Sequence, residues 1–282
     1  MFTGGPFNGD YITMISSRKI YVWRSTITLF VCALIVVGCS HQSPSELVAE
    51  AVSLADIGDN ASWREARVKL ESAVDNGGDG RPLKLFYAIA LERTNDSNAA
   101  IAVAKEIQRL APDTFMPNYL TGKLNYDRGN YQDAVRYLKR AAELDPEHKE
   151  TLALYGAAAA RQNLPDAPEI LGRIMQDEDY ANNYLLHNEM AIWYVNHSRY
   201  NEAMSSFSKA VKLSDGNPAV YLNIAVMYDH HVGKQNLARN YYKRYLDAAG
   251  TPGPPTRERV DARLQEISGL HHAHAAPPTN DQ

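Results

Sequence analysis

Residues 117–146 read Pro117-Asn-Tyr-Leu-Thr-Gly-Lys-Leu-Asn-Tyr-Asp-Arg-Gly-Asn-Tyr-Gln-Asp-Ala-Val-Arg-Tyr-Leu-Lys-Arg-Ala-Ala-Glu-Leu-Asp-Pro146. Ala134, Leu138 and Ala141 stand at offsets of four and seven, which places all three on one face of a helix. Gly122, upstream, is a small residue of the kind that lets a preceding helix approach closely, to an axis separation of about 8–10 Å. The spacing predicts that Gly122 faces Ala134. Between the helices lies Asp127-Arg-Gly-Asn130, where Gly129 can adopt the positive φ that ends a helix. Pro146 closes the second helix, because proline has no N–H to continue the ladder. The stretch therefore predicts two antiparallel helices joined by a tight turn.

The same pattern recurs outward in both directions. Ala66, Ala100, Ala134, Ala167, Ala203 and Ala238 follow one another at close to 34 residues. Four residues beyond each rung are Leu70, Ala104, Leu138, Leu171, Phe207 and Tyr242. Seven beyond are Ala73, Ile107, Ala141, Ile174, Ala210 and Tyr245. Small residues precede five of the rungs: Ala88, Gly122, Gly156, Ala191 and Ala225. A fixed period of this size is the signature of a repeat array, and helices of about a dozen residues are marginal unless each pair stacks on its neighbours.

These units resemble tetratricopeptide repeats, through the Gly122, Gly129-Asn-Tyr131, Ala134, Ala141 and Pro146 pattern and its echoes at His187–Asp215 and Pro218–Gly250. The resemblance covers residues 44–250. It implies an all-α fold, a right-handed superhelical solenoid of about six helix pairs plus a C-terminal capping helix. Three units depart from the pattern. The first, Pro44–Asp75, has Trp63 but little of the first-helix spacing. The second has Ser97 where the turn aromatic usually stands. The fourth carries Pro165 and Pro168, so its second helix should start near Pro165 and be short. After residue 250, Thr251-Pro-Gly-Pro-Pro255 breaks the chain. Within 251–269 the capping helix is expected over Thr256–Gly269, burying Val260, Leu264 and Ile267 and solvating Arg257, Glu258, Arg259, Asp261, Arg263 and Glu266. Residues 270–282, with His271, His272, His274 and two prolines, read as a disordered tail.

The first 38 residues read as an export signal. Arg18, Lys19 and Arg24 precede an apolar run ending Val36-Val37-Gly38-Cys39. The twelve residues from Ile27 to Gly38, at about 1.5 Å each, fall short of a hydrocarbon core of roughly 30 Å. Val36–Cys39 resembles the lipobox of bacterial lipoproteins. That resemblance implies cleavage before Cys39, acylation of Cys39 and a short linker over 39–43. Ser40 after the cysteine implies the outer membrane, with the protein facing the periplasm. The leader before Arg18 is long for this class; Met14 offers a second start.

Composition limits what the array can do. Twenty-nine basic residues against 33 acidic ones, a formal charge of −4, without a basic block, argue against a nucleic-acid partner. Cys32 and Cys39 are the two cysteines, which excludes a disulfide scaffold. No phosphate loop or nucleophile elbow occurs. Adjacent His230 and His231 point about 100° apart on a helix and do not converge on one metal. The expectation is therefore no enzyme, no metal and no cofactor. By the resemblance the first helices line a concave groove, where Tyr119, Lys123, Tyr126, Asp127, Asn188, Ile192, Val226 and Asp229 are the candidate contacts. Tyrosine with aliphatics and a few charges suits a protein surface. Tyr119, Lys123 and Tyr126 form one strip, with Lys123 placed for an acidic group and both tyrosines removable without loss of stability. The function expected is a membrane-anchored scaffold binding a protein partner of the cell envelope, as an assembly factor, pilotin-like protein or adaptor. The alternatives are a glycan or small-ligand module, or an enzyme with an unrecognised site.

Overall fold

The computed structural model describes residues 42–248 and 256–275. The leader, Cys39 and the end of the tail lie outside the described residues. The described residues are all-α, helix pairs stacked in series, and none of their helices is long and apolar enough to cross a membrane. Contacts divide the chain into two compact units, between Ala158 and Ala159.

The first unit begins with α1 (Pro44–Ile57) and α2 (Asn60–Asp75), followed by α3 (Arg81–Arg93) with α4 (Ser97–Leu110) and α5 (Phe115–Asp127) with α6 (Tyr131–Leu144). It ends within α7 (Lys149–Arg161). Helix α1 starts on a capping box: Ser43 accepts from the Glu46 amide, and Glu46 accepts from the Ser43 amide at 2.8 Å. Asp59 and Asp96 cap α2 and α4 through their carboxylates. Each such cap satisfies an amide that has no partner inside the helix.

The second unit contains α8 (Ala167–Ile174), the short α9 (Glu178–Ala181), α10 (Tyr184–Asn196) with α11 (Tyr200–Leu213), and α12 (Pro218–Val226) with α13 (Gln235–Ala248). The last helix is α14 (Thr256–Ala275). As the prolines require, α8 begins beyond Pro165 and has eight residues. Helix α14 passes Gly269 and enters the segment read as a disordered tail. Residues 270–275 include no helix breaker. Pro277 is the first, and it disfavours helical geometry at the residue before it.

All eighteen ladder residues are buried, and the six alanine rungs are sealed completely. The close approach predicted at Gly122 is present, and the nearest atoms there belong to Leu138. A Cβ at Gly122 would lie 2.6 Å from Leu138 Cγ and 3.0 Å from the Leu138 backbone nitrogen. It is Leu138, one turn beyond Ala134, that meets the glycine.

The turns inside the pairs share one device. A residue at positive φ ends the first helix in each: Gly58, Asn95, Gly129, Asn163, Ser198 and Gly233. In the second to fifth pairs the next amide bonds back to the carbonyl five residues earlier, as Asp96 to Leu91, Asn130 to Asn125, Leu164 to Ala159 and Arg199 to Tyr194, at 2.8–2.9 Å. This satisfies carbonyls the helix leaves open. Asparagine tolerates that conformation better than serine does, so Ser198 holds the least favourable position of the six.

The sixth pair has one residue more between its small residue and its turn: eight from Ala225 to Gly233, against seven from Gly122 to Gly129. The extra residue is absorbed by a π turn over Met227–Val232, and Lys234 reaches back six residues to the Tyr228 carbonyl. A π turn advances each residue through a smaller angle than an α turn, so residues after Val226 fall out of the α register.

Candidate functional site

The eight candidate residues fall into two groups, one in each unit. In the first unit Tyr119, Lys123, Tyr126 and Asp127 are all half-buried on one side of α5. The opposite side, with Asn118, Thr121, Gly122 and Asn125, is sealed. Lys123 Nζ donates to Glu92 Oε1 of α3 at 2.6 Å and lies 3.5 Å from Asp127 Oδ2. Glu150, in the first turn of α7, accepts a hydrogen bond from the Tyr119 hydroxyl.

Three carboxylates thus surround one ammonium. Burial opposes the charge on Lys123, but Glu92, Asp127 and Glu150 outweigh it and hold its pKa above the ordinary lysine value. Burial raises Asp127, helped by Glu92 and Glu150 and only partly countered by Lys123. Burial also pushes the Tyr119 phenol well up, together with the same three carboxylates. Asp127 Oδ1 is closed from solvent and accepts no hydrogen bond from any described group. The expectation that Lys123 stands ready for an acidic group is corrected: its charge is already matched within the protein.

The tyrosines differ from each other. Tyr119 stacks on Phe115, with centroids 5.7 Å apart, and His148 packs edge-on against Tyr119 at 5.2 Å. Its truncation would open a packed trio, so the expected unchanged stability does not carry over to this position. Tyr126 touches Tyr131 edge-on at 5.6 Å.

In the second unit the candidates are more enclosed. Asn188 is 6% exposed; it accepts from Asn223 at 2.9 Å and its amide reaches Glu189 at 3.4 Å. Arg161 holds Glu189 in a fork, with Nη2–Oε1 at 2.7 Å. Ile192 and Val226 remain half-buried. Asp229 is corrected as a groove contact. Its side chain is 0% exposed and receives Arg263 Nε at 2.8 Å, Arg263 Nη2 at 2.7 Å and the Tyr242 hydroxyl at 3.1 Å. Asp229 stands four residues after Ala225, as Glu92 stands four after Ala88, and like Glu92 it is covered by a cation from the next helix in line, here Arg263 of α14. Arg263 is likewise not on the solvated face of α14. It closes the last pair by the bidentate geometry that suits arginine to a carboxylate.

Sequence reasoning missed Glu92, Glu150, Arg161, Glu189 and Arg263. Three of the contacts repeat one motif, an ion pair between successive first helices: Glu92 with Lys123, Arg161 with Glu189, and Asp229 with Arg263. Their separations of 31, 28 and 34 residues lie near the repeat period. Opposite charges about one period apart on first helices were the available signal. Among the described residues no group of three or more His, Cys, Asp or Glu is placed to hold a metal ion.

The tetratricopeptide-repeat family model matches residues 119–178, from the candidate strip on α5 into the fourth pair. Among solved structures, a tetratricopeptide repeat protein from Parabacteroides merdae ATCC 43184 aligns with a TM-score of 0.60 and 15% identity, over 84% of this chain and 95% of that one. MamA of MSR-1 aligns with a TM-score of 0.53 and 21% identity, over 61% of this chain and 97% of that one. MamA of AMB-1 gives 0.52 and 21%, over 59% and 96%. No curated protein sequence matches. At these identities the likeness establishes the fold.

Proposed function

We propose, from a tetratricopeptide-repeat fold with a half-open polar and aromatic face on its first helices, that this protein is a non-catalytic scaffold that binds a protein partner. The observation that carries the reading is the asymmetry of α5. One side is sealed into its helix pair, while Tyr119, Lys123, Tyr126 and Asp127 keep partial access to solvent. Half-buried aromatics offer rigid contact area at little entropic cost, and charges beside them set orientation. The partner is proposed to lie along this face as a short segment. Substituting Tyr126 and Asp127 should abolish capture while leaving helical circular dichroism unchanged. Lys139→Ala, at an exposed position of α6, should capture normally. Equal capture by both proteins would remove the α5 face as the site.

The scaffold is further proposed to work in the bacterial cell envelope, anchored through Cys39 at the outer membrane and facing the periplasm. The support is the sequence Val36-Val-Gly-Cys39 after a basic, then apolar, leader. Several acyl chains at about 0.8 kcal/mol per buried CH₂ would hold it firmly. With a fatty-acid label fed to cells, the wild-type protein should be tagged and Cys39→Ser should not. A tagged Cys39→Ser protein would contradict the anchor.

A further inference from the structure

The chemistry of the α5 face goes further than the proposed peptide-binding reading, on which this inference rests, and specifies what the bound segment carries. Around the strip stand Glu92 and Arg93 on α3, Lys123 and Asp127 on α5, Glu150 on α7, and the His148 imidazole against Tyr119. Arg93 reaches Glu92 at 3.7 Å from an exposed position. Lys123 takes its short contact from Glu92, at 2.6 Å. Glu150 receives a neutral phenol, that of Tyr119. Asp127 is therefore left with a single cation at 3.5 Å, at the outer limit of a hydrogen bond.

Two observations then point the same way. The site holds three carboxylates, while its one central ammonium is committed to Glu92. Independently, Asp127 Oδ1 is sealed from water and accepts nothing, although buried carboxylate oxygens are normally satisfied. The Asp127 side chain is 22% exposed, so the carboxyl group can be approached from the groove on the side away from the sealed Oδ1. An acidic ligand would meet Glu92, Asp127 and Glu150 together, with the local ammonium already paired. A basic side chain would bring a second cation to the approachable edge of Asp127 and a countercharge to Glu150, with its methylene stem laid against Tyr126.

We propose that the α5 face recognises a peptide segment through a lysine or arginine side chain, whose cation pairs with Asp127 and Glu150. The occupant is thus a basic segment of a partner protein, opposite in sign to the ligand expected from Lys123 alone.

The test uses the full chain and fluorescent 12-residue peptide pools, capped at both ends, identical except for one fixed residue: lysine, arginine, norleucine or glutamate. The lysine and arginine pools should bind at least tenfold more tightly than the norleucine pool, and the glutamate pool least. Asp127→Asn should reduce the preference for lysine over norleucine to below threefold while norleucine-pool affinity and circular dichroism stay unchanged. Norleucine binding as tight as lysine, or glutamate binding tighter, would overturn the cation while the peptide-binding reading stands. Binding of none of the pools would overturn both. A preference for lysine undiminished in both Asp127→Asn and Glu150→Gln would remove the assignment to this cluster.

Discussion

Replacing Arg263 by methionine should destabilise the C-terminal end of the array by about 3–5 kcal/mol, the usual cost of stranding one member of a buried ion pair. Asp229 is 0% exposed as a side chain, and without Arg263 its remaining described donor is the Tyr242 hydroxyl. Methionine keeps an unbranched stem of similar reach, so lost charge rather than lost packing dominates. The effect should concentrate locally, because repeat arrays lose their ends first when an end interface weakens. Hydrogen exchange over 257–268 is expected to quicken far more than over α10 and α11.

The pH dependence separates this account from a packing defect. In the wild type, burial raises the Asp229 carboxyl, but Arg263 and Tyr242 outweigh it and leave its pKa below the ordinary carboxylate value. A group depressed on folding contributes stability above its unfolded pKa, about 4, and that contribution is lost as pH falls through the folded pKa. In Arg263→Met burial is opposed only by the Tyr242 hydroxyl and His230, so Asp229 takes up its proton at higher pH than in the wild type. The deficit should therefore be largest near neutrality and shrink as pH is lowered towards 4. A deficit below 1 kcal/mol, or one that does not change with pH, would contradict the stranded charge.

Ala134→Trp is expected to cost at least about 1–3 kcal/mol, through overpacking of a fully closed position. The approach of α5 to α6 is already so close at Gly122 and Leu138 that an added methyl group would meet backbone. Lys139→Trp on the exposed side of the same helix should stay within about 0.5 kcal/mol of wild type. Urea melts compare the two directly. Coincident curves would mean that the alanine ladder does not mark the packed face.

The fold was legible in the sequence because its determinants are local and periodic. Ala, a second apolar residue four positions on and a third three beyond give one buried stripe per unit, and every one of those positions is buried. The proline brackets of the fourth unit were equally local. What escaped depended on geometry between helices. Gly122 was matched to Ala134, and the atoms nearest to it belong to Leu138, one turn further on. Asp229 was assigned to the open face by α spacing, and Arg263 of α14 covers it. The extra residue before Gly233 was countable in the sequence; where the helix would absorb it, as a π turn, was not.

The candidate strip lies on one side of α5, and its charge environment is set by residues outside it. Tyr119, Lys123, Tyr126 and Asp127 do share one side of α5, since offsets of three and four fix that. The sign of the site depends on Glu92 and Glu150, which belong to flanking helices and lie 31 residues before and 27 residues after Lys123. Their convergence is a product of stacking. Tyr119 likewise proved partly structural because Phe115 and His148, from outside the strip, close on its ring.

The most direct test of the central claim is photo-crosslinking in living cells, with a photoreactive amino acid placed at position 126 on the α5 face or at position 139 on the exposed side of α6. The account predicts a discrete adduct with one protein from position 126, lost on adding Asp127→Asn, and none from position 139. Adducts from 139 with none from 126 would contradict a partner held on the first-helix face.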